Sequence, residues 1–172
     1  MSVLVLVEHD GAAADDLSRQ AATLARGYAE AAGTALEAAL IGPGAAGAAA
    51  GLGDLGVATA HVAEHDGLSS FAPQAWGRAI AGLVGRLAPA AVVGPGSERA
   101  AEVLAHAAAI ADLPFAANCT AAAPGDPASV TRVRWGGSLL EEARLHGATK
   151  ILTVAAHSVD AAPAASPAAT AV

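Results

Sequence analysis

The sequence predicts an α/β fold, a three-layer open and mostly parallel sheet with helices on both faces and extra C-terminal edge strands, partly antiparallel. Three observations predict it. Val3-Leu4-Val5-Leu6-Val7 is an unbroken run of β-branched and leucine residues, as expected of a strand covered on both faces. Strand-like and helix-like segments then alternate as β-α-β-α-β-α-β-α through Asp112, an order that implies parallel strands joined by crossovers. Beyond Pro114 come strand-like segments with no long helix between them, which suits added edge strands.

The elements follow in order. After the first strand and the Asp10-Gly11 loop, Leu17, Ala21, Leu24, Ala25 and Tyr28 recur at helical spacing, with Gly33 where a C-terminal cap belongs. Ala35 to Ile41 reads as a second strand, stopped by Gly42-Pro43-Gly44. A weak Ala/Gly helix over residues 45–53 leads to a third strand at Ala58–Ala63. Trp76, Ile80, Leu83, Val84 and Leu87 form one apolar helical stripe, ended by Pro89. Ala90 to Val93 is a short buried strand. Ser97 then caps a helix over Glu98–Asp112, with Val103, Ala107 and Ile110 inward.

Ala116–Ala122, Val130–Trp135 and Ile151–Ala155 are the later strands. Leu139 to Leu145 has strong helix formers, yet its alternation and the preceding Gly136-Gly137 favour a hairpin strand with Arg132 opposite Glu141. Residues 1–157 thus form one domain. Residues 158–172, rich in Ala and Pro without periodicity, read as a flexible tail or truncated linker.

Composition limits the function. The chain has 172 residues, 54% of them hydrophobic but only 3% aromatic. Alanine supplies much of that apolar content, so Leu, Val and Ile must build the core, and helices can lie close to the sheet. A net charge of −7 argues against nucleic acid, whose phosphates need clustered Lys and Arg. Cys119 is the single cysteine, which leaves no intrachain disulfide or cysteine metal site. The N-terminus lacks a basic region and turns acidic at Glu8, so neither a signal sequence nor membrane insertion is expected, and the cytoplasm is the expected location.

Two sets of residues are candidates for function. Glu8 and His9 end the first strand, where open α/β sheets bind ligands, and Gly94, Gly96 and Ser97 form a turn into a helix N-terminus. Together they would make a nucleotide pocket. However, the turn lacks phosphate-loop spacing, and a helix N-terminus contributes only about 0.3–1 kcal/mol to an anion. Micromolar affinity needs about 8 kcal/mol, so a plain strand-to-helix turn is the preferred reading. The second set is Arg132, Arg134, Trp135, Gly136 and Gly137, a basic strand with an aromatic anchor breaking into glycines, which reads as a partner interface. His61 and His65 are spaced i, i+4, but His61 lies in a strand, so no metal is expected. Trp76 and Cys119 read as core. No nucleophile elbow or Cys-His pair is present, and no catalytic residue is expected.

Several segments together resemble the electron transfer flavoprotein α subunit, in its N-terminal domain. They are Val3 to His9, Val92-Val93-Gly94-Pro95-Gly96-Ser97-Glu98-Arg99, Thr131-Arg132-Val133-Arg134-Trp135-Gly136-Gly137-Ser138, and Lys150 to Val154. The third is similar to that family's Thr-Arg-Pro-(aromatic)-(aromatic)-Gly-Gly-Asn run, with Val133 in place of Pro and Ser138 in place of Asn. The resemblance covers residues 2–156 and implies an adenine-nucleotide-hydrolase-like topology. It also implies a heterodimer with a β subunit, which binds AMP. Electrons would come from flavin-dependent dehydrogenases, as in fatty acid β-oxidation, and pass to the respiratory chain. FAD would sit on a C-terminal domain absent from this chain, or on a partner. This chain would be a scaffold and docking domain with no cofactor of its own, and not an enzyme.

Overall fold

Val3 to Val7 are all buried, and the strand they form is central to the sheet. The computed structural model describes residues 1–172. Its strands are β1 (Ser2–Val7), β2 (Ala35–Ile41), β3 (Thr59–Ala63), β4 (Ala91–Gly94), β5 (Phe115–Ala123), β6 (Ala128–Arg134), β7 (Leu139–Leu145) and β8 (Lys150–Val154). The helices are α1 (Asp16–Ala31), the short α2 (Ala45–Ala49), α3 (Pro73–Leu87) and α4 (Glu98–Ala111). One 8-stranded sheet runs in the order β3-β2-β1-β4-β8-β5-β6-β7. Pairing is parallel from β3 to β5 and antiparallel for β5–β6 and β6–β7. The expected fold class therefore stands.

Helices cover the two faces unequally. Ala21, Ala22, Ala25, Tyr28 and Ala29 of α1 pack with α2 on Val3, Val5, Val93 and Leu152. On the opposite face, α3 and α4 bury Ile80, Leu83, Val103 and Leu104 against Leu4, Leu6, Val92 and Ile151. Small residues set the helix spacing: a Cβ on Gly77 of α3 would lie 2.6 Å from the His106 Cβ of α4. Asp15 caps α1 by accepting the Ser18 N–H at 2.7 Å, and Ser97 caps α4 by accepting the Ala100 N–H at 2.9 Å.

The structure corrects several expectations. β8 is not an edge strand; it inserts between β4 and β5 with all its residues buried. The helix over residues 45–53 is only α2 plus a 3-10 turn at Leu52–Leu55. Ile110 is 47% exposed. The buried stripe of α4 runs through Ala100, Leu104, Ala107 and Ala108, and at about 100° per residue Ile110 falls a quarter turn from its centre. Trp135 leaves the strand, because β6 stops at Arg134 and a four-residue connection, Trp135 to Ser138, replaces a two-residue turn. The register survives, with Arg132 opposite Glu141.

Residues 158–172 have defined backbone partners. The Ala164 N–H donates to the Asp54 carbonyl at 2.7 Å, and Ala171 exchanges bonds with Ala58 and Ala60 on the open side of β3. Arg26 Nη2 also donates to the Ala162 carbonyl at 3.1 Å. Glycine is required beneath this segment: a Cβ at Gly53 would lie 1.8 Å from the Ala168 oxygen. Main-chain pairing of this kind leaves no side-chain pattern, so composition reads it as loose.

Candidate functional site

Two concave features lie at the carboxyl ends of the parallel strands. The first is a cavity of about 390 Å³ beside the ends of β1 and β4, the neighbouring strands between which the order reverses, where open sheets take ligands. It brings Glu8, His9 and Ser97 together, with Asp10, Asp15 and Arg99. The Glu8 N–H donates to the Ser18 hydroxyl at 2.8 Å, which anchors this turn to α1.

The cavity is furnished against anions. Glu8 lies at the start of α4, with Arg99 Nε 3.6 Å from its carboxylate. Burial pushes the Glu8 carboxyl above its ordinary range and Asp15 adds to the rise, while Ser97 and Arg99 oppose it. Asp10 is exposed and held below the usual carboxylate range by the backbone N–H groups of Ala13 and Ala12. A phosphate oxygen about 4 Å from a carboxylate meets about 4 kcal/mol of repulsion near a protein surface, which exceeds the pull of the helix N-terminus.

Trp76, which lines the cavity, has a buried indole N–H without a hydrogen-bond partner, whereas His9 is already engaged. His9 accepts the Gly11 N–H at Nδ1 and lies 3.2 Å from the Ile41 carbonyl at Nε2, so neither ring nitrogen is free as a base. Gly94 and Gly96 do not open onto the cavity. Their added Cβ atoms would meet Leu104 at 2.4 Å and the Ala156 nitrogen at 2.5 Å, so these glycines permit close packing. Trp76 packs against the α3–α4 core, as expected, and also borders the cavity. Half-buried, it lines the cavity with an edge contact to Phe71, and the Arg99 guanidinium lies 4.4 Å from the Phe71 ring centre. His61 is bonded instead to Glu37 at 2.7 Å, and His65 Nδ1 accepts the Gly67 N–H. No group of three or more His, Cys, Asp or Glu is placed to hold a metal.

The second feature is a groove of about 670 Å³ between the β6–β7 connection and the chain leaving β8. Arg134, Trp135, Gly136 and Gly137 lie along one side, Asn118 and His157 along the other. Five non-glycine residues have positive φ, and Ala88 and Asp112 among them merely end α3 and α4. The other three, Asn118 (φ 60°), Trp135 (φ 53°) and His157 (φ 61°), all line this groove. The left-handed conformation costs a residue with a Cβ about 1–2 kcal/mol, and asparagine tolerates it best. Backbone strain is therefore concentrated here, as it is at many functional sites.

The flanking strands are exposed. Trp135 is 81% accessible, Leu140 71% and Leu139 55%, and β7 is the sheet's edge. On β6, Arg132 grips Glu141 with two bonds, from Nε at 3.0 Å and Nη2 at 3.3 Å, and is not among the residues lining the groove. Asn118 and His157 escaped the sequence reading. An asparagine inside a strand was the available signal for the first, while His157, the last residue assigned to the domain, carried no local pattern.

The fold and these features define an open α/β domain whose usual ligand position is lined by its own carboxylates and which carries a strained groove beside the β6–β7 connection. The chain matches the family model of the electron transfer flavoprotein domain over residues 3–172, and it belongs to that family. It is thus a domain of electron-transfer proteins. No curated protein matches it. No helix is long and apolar enough to cross a membrane.

Proposed function

We propose that this chain is the N-terminal domain of an electron transfer flavoprotein α subunit, acting as a platform that docks the β subunit and carries neither flavin nor catalytic residues. The observation that carries this reading is the strained, solvent-facing connection at Trp135 on an otherwise well-buried fold. An 81% exposed tryptophan held at positive φ carries a backbone penalty with little burial to offset it, and a partner surface accounts for keeping it. In this reading FAD lies on a further domain or a partner, AMP belongs to the β subunit, and flavin-dependent dehydrogenases supply electrons in the cytoplasm.

The test is co-expression with a cognate β subunit. Stable co-purification of a heterodimer is expected, while the chain alone stays colourless in visible absorbance. Stoichiometric FAD on the isolated chain, or no association with the β subunit, would refute the platform assignment. The alternative, a stand-alone adenine-nucleotide-binding domain, is disfavoured by the Glu8 carboxylate at the helix start. Calorimetric titration with AMP or ATP should show no binding tighter than millimolar.

A further inference from the structure

The two arginines of β6 share a single acid. Arg132 holds both carboxylate oxygens of Glu141, and Arg134 reaches only Oε2, 3.4 Å from its own Nε. The side chain of Arg134 is 50% exposed and lies along the groove, with its terminal N–H groups free of protein acceptors. Guanidinium geometry favours a carboxylate approached by two N–H groups at once, and here one cation of the pair lacks that partner.

The surrounding charge has the same sign. The β6–β7 hairpin holds Arg132, Arg134 and Arg144 against Glu141 and Glu142, a local +1 within a chain of −7, so the remainder carries −8. The hairpin is thus a locally basic surface on an acidic body, and approach by an acidic segment is favoured there. Beside the free guanidinium stand the exposed Trp135 indole and the amide of Asn118, an apolar surface and a polar group at one groove.

We propose that the groove receives a carboxylate-bearing segment of the partner subunit, whose acid pairs with Arg134 while an adjacent apolar side chain packs on Trp135. This rests on the platform reading above and adds the chemistry of the partner. Glu141 then serves as the fixed acid that aligns both arginines, and the incoming acid completes an alternating set of two cations and two anions.

The experiment measures affinity for the cognate β subunit at about 50 mM and 500 mM salt, spanning weak and strong screening. Arg134→Gln should weaken binding about tenfold at low salt, with the difference shrinking at high salt. Arg144→Gln, on the opposite face of the hairpin, should change affinity less than about twofold. Circular dichroism and thermal melts would establish that each variant is folded, and Arg134→Lys should restore part of the loss. Unchanged affinity in Arg134→Gln, or a loss insensitive to salt, would overturn this inference and leave the platform reading intact. Failure of the wild-type chain to bind would overturn both. Self-association of the chain that Arg134→Gln abolishes would also overturn the inference, by identifying a second copy as the occupant.

Discussion

Three glycines of α3 receive the same substitution with opposite consequences, which makes them a sensitive test of the packing. Gly77 is buried where α3 crosses α4, and an added Cβ would meet His106 Cβ at 2.6 Å, the Val103 oxygen at 3.0 Å and the Ala107 nitrogen at 3.1 Å. Two of those three atoms are backbone, so α4 itself would have to move. Overpacking of this kind costs about 1–3 kcal/mol, against about 1 kcal/mol regained in helix propensity. Gly82 and Gly85 lie in the same helix with nothing within 4 Å of the added atom. There Gly→Ala should stabilise by about 0.5–1 kcal/mol, since only the unfolded chain loses freedom. Urea denaturation should therefore place G82A and G85A above wild type and G77A below them by the clash, about 1–3 kcal/mol. For a domain of this size each kcal/mol moves Tm by about 2–4 °C. A G77A variant as stable as G82A would refute the close approach of α3 and α4.

Two further predictions concern titratable groups. Because burial raises the folded-state pKa of Glu8, its ionised form opposes folding; the penalty is full at neutral pH and disappears as pH falls through that raised pKa to below the ordinary carboxylate value. Glu8→Gln should hence raise Tm at pH 7 and have no effect near pH 3, and a destabilised variant at pH 7 would contradict the cavity's electrostatics. The fully buried Cys119 thiol is pushed up to about 12 by burial, so at pH 8 about one molecule in ten thousand carries the thiolate. A disulfide thiol reagent should leave the native protein unmodified and titrate one thiol in denaturant.

Local grammar made most of the fold legible. β2 occupies Ala35–Ile41 as its apolar run and the Gly42-Pro43-Gly44 stop require. β7 was legible despite helix-forming residues, because alternation matches a half-buried strand and Arg132–Glu141 rewards that register. The position of β8 was not. Ile151-Leu152-Thr153-Val154 shows burial on both faces, but which strands flank it is settled by non-local pairing. Trp76 was legible as core from its helical spacing, but not its second position beside the cavity, near the start of α3. At the candidate sites, the sequence identified residue types but not their state. It could not show that Glu8 sits beside Arg99, nor that His9 has both ring nitrogens engaged.

Trp135 separates what the fold needs from what the groove is for. Its side chain is 81% exposed, so truncation removes little buried apolar area, and its φ of 53° imposes a penalty that glycine escapes. Relief of about 1–2 kcal/mol is offset by about 0.5–1 kcal/mol of added freedom in the unfolded chain, so Trp135→Gly should be as stable as wild type or up to about 1.5 kcal/mol more stable. A core residue would behave in the opposite way, since burying a tryptophan contributes several kcal/mol. If the same variant also loses affinity for the β subunit, the indole is retained for binding at the expense of stability. A Trp135→Gly protein that melts well below wild type would instead place the indole in the packing of the hairpin, and the groove would lose its anchor.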